Sequence, residues 1–403
     1  MGIIFSSFNG LEPFPKLRFL EFKNTYKKIK LNKAVERIQR KDPTSEAPVM
    51  MLSAASGFIM QSEKYSRENA GQSLKKYILL KKGELAYNHG ASKYKPFGCC
   101  FELKEEEARI PYVYHCFAVK ENNDKSYIAR LLNNQKIDQQ LKRLISSSVR
   151  MDGLLNISYE EYTGIDLYLP SLPEQQKIAA FLSLVDVRIE KQRKLVENLK
   201  KYKRGLFLKL YNDSDKSIIS FKNIYEMASE GGTPSTSDSE NYENGKIPFI
   251  KIDDLNQHYL NFAKYFITEK GLKKSSAWIV PENSIIYSNG ATIGACSINK
   301  IPVTTKQGIL GIVPKSNFSV EFLYFLFTSS IFKQKIRAIT TKGTMDSAYL
   351  KDINGIKISI PDFIAQQKIA KIMVDFENLI ERTELSFIYL QNIKKALLQQ
   401  MFI

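Results

Sequence analysis

The chain has 403 residues, 43% of them apolar and 25% charged, which sets aside collagen-like, mucin-like and wholly disordered classes. Its length makes room for roughly two to three domains. Lys plus Arg number 59 against 42 for Asp plus Glu, a formal net charge of +17. That excess favours a polyanionic partner, nucleic acid before a membrane surface.

The N-terminus, Met1-Gly-Ile-Ile-Phe5, carries no basic region before its apolar residues, so no secretory signal is expected. Tyr77 to Tyr87, Cys99 to Leu103 and Tyr112 to Val119 read as strands, and Lys125 to Ile145 as a helix. Pro170-Ser-Leu-Pro-Glu-Gln-Gln-Lys-Ile-Ala179 then opens a long amphipathic helix. In the second half Ile247 to Ile252, Ser284 to Ser288, Ala295 to Asn299 and Gly308 to Val313 are strand-like runs broken by Gly, Pro and Asn. A helix over Ser319 to Ile339 follows, and Pro361-Asp-Phe-Ile-Ala-Gln-Gln-Lys-Ile-Ala370 opens a second long helix. The longest apolar uncharged run, Phe322 to Phe332, is too short for a bilayer span, so no transmembrane helix is expected. Cys99, Cys100, Cys116 and Cys296 show no Cys-x-x-Cys spacing, which reads as reduced core thiols in a cytoplasm, without a zinc site or a disulfide framework.

The two helix openings are copies 191 residues apart. Continuing without gaps, Ile189 falls on Ile380, Glu190 on Glu381, Leu199 on Leu390, Lys203 on Lys394 and Leu206 on Leu397; upstream, Gly164-Ile165 falls on Gly355-Ile356. Both copies carry one heptad seam. Its apolar members are Ile178, Leu182, Val185, Ile189, Val196, Leu199, Leu206 and Leu210 in the first copy, with Gln192 and Lys203 as polar exceptions. In the second they are Ile369, Met373, Phe376, Ile380, Phe387, Leu390, Leu397 and Met401, with Thr383 and Lys394 at the matching places. Parallel pairing in register would set Lys203 against Lys394 in an apolar groove. Antiparallel pairing sets Lys203 against Phe376 and Lys394 against Val185, so each lysine runs its methylenes over apolar surface and its ammonium to water. The antiparallel arrangement is therefore expected.

Catalytic signatures are missing. The chain has no P-loop, no His-Glu-x-x-His, no Gly-x-Ser-x-Gly, and neither the Asn/Asp-Pro-Pro-aromatic motif nor the Gly-rich cofactor loop of a DNA methyltransferase. Three histidines stand apart, at 89, 115 and 258. His89, in Tyr87-Asn88-His89-Gly90, reads either as part of a DNA-facing loop or as a satisfied side chain in a turn, and His115 as a core histidine.

With these residues in view, the chain resembles the specificity subunit of type I restriction-modification systems. Pro15-Lys-Leu-Arg-Phe19 is similar to that family's opening segment, and Gly231-Gly-Thr-Pro-Ser235 to the loop that begins a target recognition domain. Leu169-Pro170 through Ile178 and Ile360-Pro361 through Ile369 resemble the starts of its two conserved helical regions. One departure is Ala365 where the first copy has Glu174, which puts one helix cap in doubt. The resemblance implies an α+β chain with two target recognition domains, each a small mixed or antiparallel sheet with helices, and two long helices in an antiparallel coiled coil, related by an internal pseudo-two-fold repeat. The divisions expected are 1–170 and 212–361 for the recognition domains, 171–211 and 362–403 for the helical regions.

It further implies a non-catalytic subunit that reads a bipartite, asymmetric site in double-stranded DNA and docks two modification subunits that methylate adenine at N6. Restriction/translocase subunits would cleave unmodified DNA. S-adenosylmethionine, ATP and Mg belong to those partners, with no cofactor or metal on this chain and no membrane. Phosphate contacts call for Lys and Arg, and base contacts for polar side chains that reach a groove. The candidates are Asn88, Lys93, Tyr94, Lys95 and Arg150 in the first domain, and Thr233, Ser235, Asn289, Lys306, Gln307 and Lys342 in the second. The competing readings are a DNA enzyme with diverged motifs and a coiled-coil adaptor that binds no specific DNA sequence.

Overall fold

Each half of the chain builds the same sheet, as seen in a computed structural model that describes residues 3–5, 14–64, 71–90, 92, 95–144, 155–255, 257–290, 292–340 and 347–402. In the first half the strand order is Val35–Arg37, His115–Val119, Leu85–Asn88, Cys99–Glu102. In the second it is Tyr225–Glu230, Ile309–Pro314, Ile285–Ser288, Cys296–Asn299, with Tyr259–Leu260 added in parallel at the edge. The registers correspond: Tyr87 lies opposite His115 and Cys100, and Tyr287 opposite Leu310 and Cys296. Side chains alternate across a strand, so Leu85 and Tyr87 enter one core and Ala86 another. Ile285 and Tyr287 are divided from Ile286 in the same way.

Smaller sheets complete each half. Met50–Ser53 pairs with Gly57–Met60 and Ile78–Lys81 with Glu107–Ile110; in the second half Ile247–Ile250 lies between Tyr265–Ile267 and Thr304–Thr305. A final strand, Asp166–Leu169 or Lys357–Pro361, pairs antiparallel with Lys27–Lys30 or Lys216–Ser220 and leads into a long helix.

Three predicted elements are divided in the structure. The run from Tyr77 to Tyr87 is two strands parted by a turn at Gly83, whose φ of 87° suits glycine. The helix from Lys125 breaks into Lys125–Leu131 and Gln135–Leu144, with the Asn133 side chain held by the backbone N–H and carbonyl of Cys100 between them. The helix after Ser319 breaks into Val320–Thr328 and Ser330–Ile339 at Ser329, which is extended and accepts the Phe332 N–H on its hydroxyl.

The long helices run Leu172–Asn212 and Phe363–Gln400. The chain forms two compact units, Met1–Gln192 with Ser386–Ile403, and Arg193–Leu385, so each unit holds part of both helices. In the first unit Ile178 and Leu182 share a core with Leu397 and Met401; in the second Leu206 and Leu210 share one with Ile369 and Met373. Within the first unit Asp186, further along its helix than Ile178 and Leu182, pairs with Lys394, and within the second Lys200 pairs with Glu384 and Lys203 with Glu377, so the helices are antiparallel in each unit. None of the twenty heptad positions is exposed. Among the described residues no helix is long and apolar enough to cross a membrane.

Candidate nucleic-acid interface

The loop Gly231-Gly-Thr-Pro-Ser235 owes its path to its glycines. A Cβ on Gly231 would collide with the Thr305 carbonyl, and one on Gly232 with the backbone of Ala277, so only glycine lets the chain lie this close. Thr233 Oγ1 then accepts the Gln307 N–H at 3.4 Å, and Glu230 Oε1 accepts the Gly308 N–H at 2.6 Å. Thr233, Lys306 and Gln307 are thereby brought together, all exposed. Ser235, also exposed, continues this edge; its carbonyl accepts from Asn241 Nδ2 at 3.0 Å. Asn289 lies beneath them. It is buried, and its Nδ2 donates to the Ala348 carbonyl at 3.1 Å, so its side chain serves the fold. Lys342 lies outside the described residues.

In the first unit, Asn88 Oδ1 accepts the Gly90 N–H at 2.9 Å while its Nδ2 donates to Leu52 O at 3.2 Å. Lys95 is half-buried, with its ammonium on Asn133 O at 2.8 Å. Lys93, Tyr94 and Arg150 lie outside the described residues. The strand registers reveal a residue that sequence reading passed over. Because His115 corresponds to Leu310, Tyr112 corresponds to Gln307. Tyr112 is 52% exposed, and the Lys76 ammonium lies 5.9 Å from its ring centre. The sequence reading makes it the first residue of a strand, although the preceding Pro111 marks a turn, which the Tyr114 N–H closes on Pro111 O at 3.1 Å.

The titratable groups deeper in the fold are structural. His115 packs 5.0 Å from the His89 ring, and burial lowers its pKa to about 4, outweighing its bond to Ile157 O, so it is neutral near pH 7. His258 is sandwiched between Tyr259 and Tyr324, each ring 4.0 Å away, with Nδ1 2.6 Å from Glu377. All four cysteines are free and buried; burial pushes the Cys99 thiol up to about 11 and those of Cys100, Cys116 and Cys296 higher. Among the described residues no three or more His, Cys, Asp or Glu side chains gather as metal ligands.

The repeated helix openings anchor each domain to its helix. Gln175 Nε2 donates to Pro170 O at 3.0 Å, and its Oε1 accepts the N–H of Asp124, which caps the helix from Lys125. Gln366 repeats both bonds, to Pro361 O at 2.9 Å and from the N–H of Ser319, which caps the helix from Val320. The next residues, Gln176 and Gln367, are exposed. Glu174 corrects the expectation of a cap: it is buried and takes the Arg18 guanidinium through two bonds of 2.8 Å. At its counterpart Ala365, the N–H is capped instead by Asp362 at 2.8 Å.

Residues 214–388 match the type I restriction modification DNA specificity domain. The chain is 33% identical over 192 residues to the type I restriction enzyme MjaIX specificity subunit of Methanocaldococcus jannaschii, covering 47% of this chain and 44% of that protein. It is 30% identical over 153 residues to the EcoR124I/EcoR124II specificity subunit of Escherichia coli, covering 37% and 38%. The chain thus spans less than half the length of these two curated relatives. In fold it is similar to a solved chain described under complex assembly and conformational transition of the type I R-M system, with a TM-score of 0.60 at 14% identity over 95% of this chain and 98% of that one. It is likewise similar to the type I restriction-modification S subunit from M. genitalium, with a TM-score of 0.54 at 16% identity over 97% and 99%. Residues 214–388 thus carry a type I restriction modification DNA specificity domain, and the first half of the chain repeats its sheet-and-helix plan.

Proposed function

We propose that this chain is the DNA-reading subunit of a type I restriction-modification complex, that each unit reads one half of a bipartite asymmetric site, and that the paired helices dock two modification subunits. The observation that carries this reading is unequal divergence within one chain. The anchors are the same twice: Gln175 and Gln366 make the same bonds. The exposed turn differs, with Pro111-Tyr112 in one unit where the other has Lys306-Gln307. A surface that meets the same partner twice keeps its framework, whereas two readers of different bases must differ where side chains reach the groove. The formal net charge of +17 suits the phosphate backbone.

Thr233, Ser235, Lys306 and Gln307 are the DNA-facing group of the second reader, with Tyr112 and Lys76 at the corresponding edge of the first. Chemistry resides in the partners: modification subunits bring S-adenosylmethionine and methylate adenine at N6, and restriction subunits bring ATP-driven cleavage. The test is to mix the purified chain with its modification subunits, S-adenosylmethionine and genomic DNA, then map methylated adenines. Methylation at one bipartite sequence, with none from the chain alone, is expected. Methyl transfer by the isolated chain, or a sequence-independent pattern, would overturn the reading.

A further inference from the structure

Two different side chains make one closure in the two units. His89 follows the central-strand Tyr87 by two residues, Asn289 follows Tyr287 by two, and each stands before Gly-Ala. The His89 carbonyl accepts the Leu155 N–H at 2.9 Å, and the Asn289 carbonyl accepts the Ala348 N–H at 2.9 Å. The side chains face the same residues in return: His89 Nδ1 lies 2.9 Å from Leu155 O, and Asn289 Nδ2 donates to Ala348 O at 3.1 Å. A third segment joins in both. His89 Nε2 lies 2.9 Å from Val113 O, and the Asn289 backbone N–H donates to Gly308 O at 3.1 Å. The registers make Val113 and Gly308 the same position, directly after Tyr112 and Gln307. Both residues are buried, His89 at 6% exposure and Asn289 at 2%.

We infer that His89 and Asn289 are positioning residues for base reading, one in each reader. Each ties the exposed turn to the central strand and to the stretch that leads to the last strand. Base-edge hydrogen bonds demand placement to about 0.5 Å, and rotamers locked from beneath provide it. The closure survives a change from imidazole to amide, the two ring nitrogens of His89 facing the carbonyls that Asn289 meets with its side-chain amide and its main-chain N–H, within domains whose sequences have otherwise drifted apart. What is kept is the three-way junction. This inference rests on the reading of two half-sites above, and it adds which buried residue governs each half.

The experiment uses the full chain assembled with its modification subunits and reads adenine methylation on genomic DNA for His89→Ala, His89→Asn, Asn289→Ala and Asn289→His. His89→Ala should lower methylation at the cognate site about tenfold, the loss of one good base contact, and relax one half of the recognised sequence while the other half stays fixed. Asn289→Ala should relax the opposite half. His89→Asn should restore most of the loss, since an amide makes the corresponding bond in the second unit, and Asn289→His should do the same. Amide exchange on the same proteins should show Leu155 deprotected only in His89→Ala and Ala348 only in Asn289→Ala, which separates a loosened junction from an unfolded domain. If the wild-type complex methylates a bipartite site while the alanine variants leave it unchanged or alter both halves together, this inference fails alone. If the wild type methylates no bipartite site, the underlying reading fails with it.

Discussion

Lys203 Nζ lies 2.5 Å from Glu377 Oε1 across the helix seam, and its repeat counterpart Lys394 lies 2.6 Å from Asp186, the counterpart of Glu377. Each lysine crosses the apolar seam with its methylenes and ends on a carboxylate one residue beyond the side chain expected opposite it. Both lysines in the heptad are thereby neutralised in the antiparallel sense.

Removing one partner shows the worth of such a pair. Lys203 and Glu377 are 23% and 26% exposed, so Lys203→Met should cost only about 1 kcal/mol at pH 7, measured by denaturant unfolding. Burial pushes the Glu377 carboxyl up, but His258 and Lys203 outweigh it and hold it below its ordinary value of 4.5. A carboxylate held low stabilises the fold above its unfolded value, and that contribution fades as pH falls through the folded value. The gap between wild type and Lys203→Met should therefore narrow below about pH 4.5; a gap that widens on acidification would refute the pairing.

Arg18 and Glu174 are 5% and 1% exposed. Glu174→Ala copies the residue of the second repeat yet strands a buried guanidinium, so it should cost about 3–5 kcal/mol. Adding Arg18→Leu should recover much of that loss. Comparing chemical denaturation of the single and double variants checks this, and equal stabilities would show that Arg18 finds water instead.

The repeated glutamines should behave in opposite ways. Gln175→Ala or Gln366→Ala leaves the N–H of a helix-capping residue and a proline carbonyl unpaired, at a cost of about 1–3 kcal/mol. Gln176→Ala and Gln367→Ala, at exposed positions, should stay within about 0.5 kcal/mol of wild type. Thermal unfolding of the four variants distinguishes the buried clamp from the surface neighbour.

Exchange of residues 216–360 for the corresponding domain of a relative should change one half of the methylated sequence and keep the other. Methylation mapping in a host lacking this gene would read the outcome, and a change in both halves would contradict independent readers.

The long helices, their seam and their antiparallel sense were legible in the sequence alone, because a heptad stripe and a 191-residue repeat are local regularities, and two lysines facing each other in a largely apolar groove disfavour the parallel register. The central strands were legible for a similar reason: short apolar runs broken by Gly, Pro and Asn are a property of neighbours. Tertiary structure alone decided the junctions. Glu174 meets Arg18 from 156 residues away, and Asn133 ends a helix by binding Cys100, 33 residues earlier. The correspondence of Tyr112 with Gln307, and of His89 with Asn289, rests on strand register. Register is a relation between segments distant in sequence, and hydrogen bonds to backbone carbonyls can be made by imidazole, amide or main chain alike, so the amino-acid types at those positions carry no shared pattern to read.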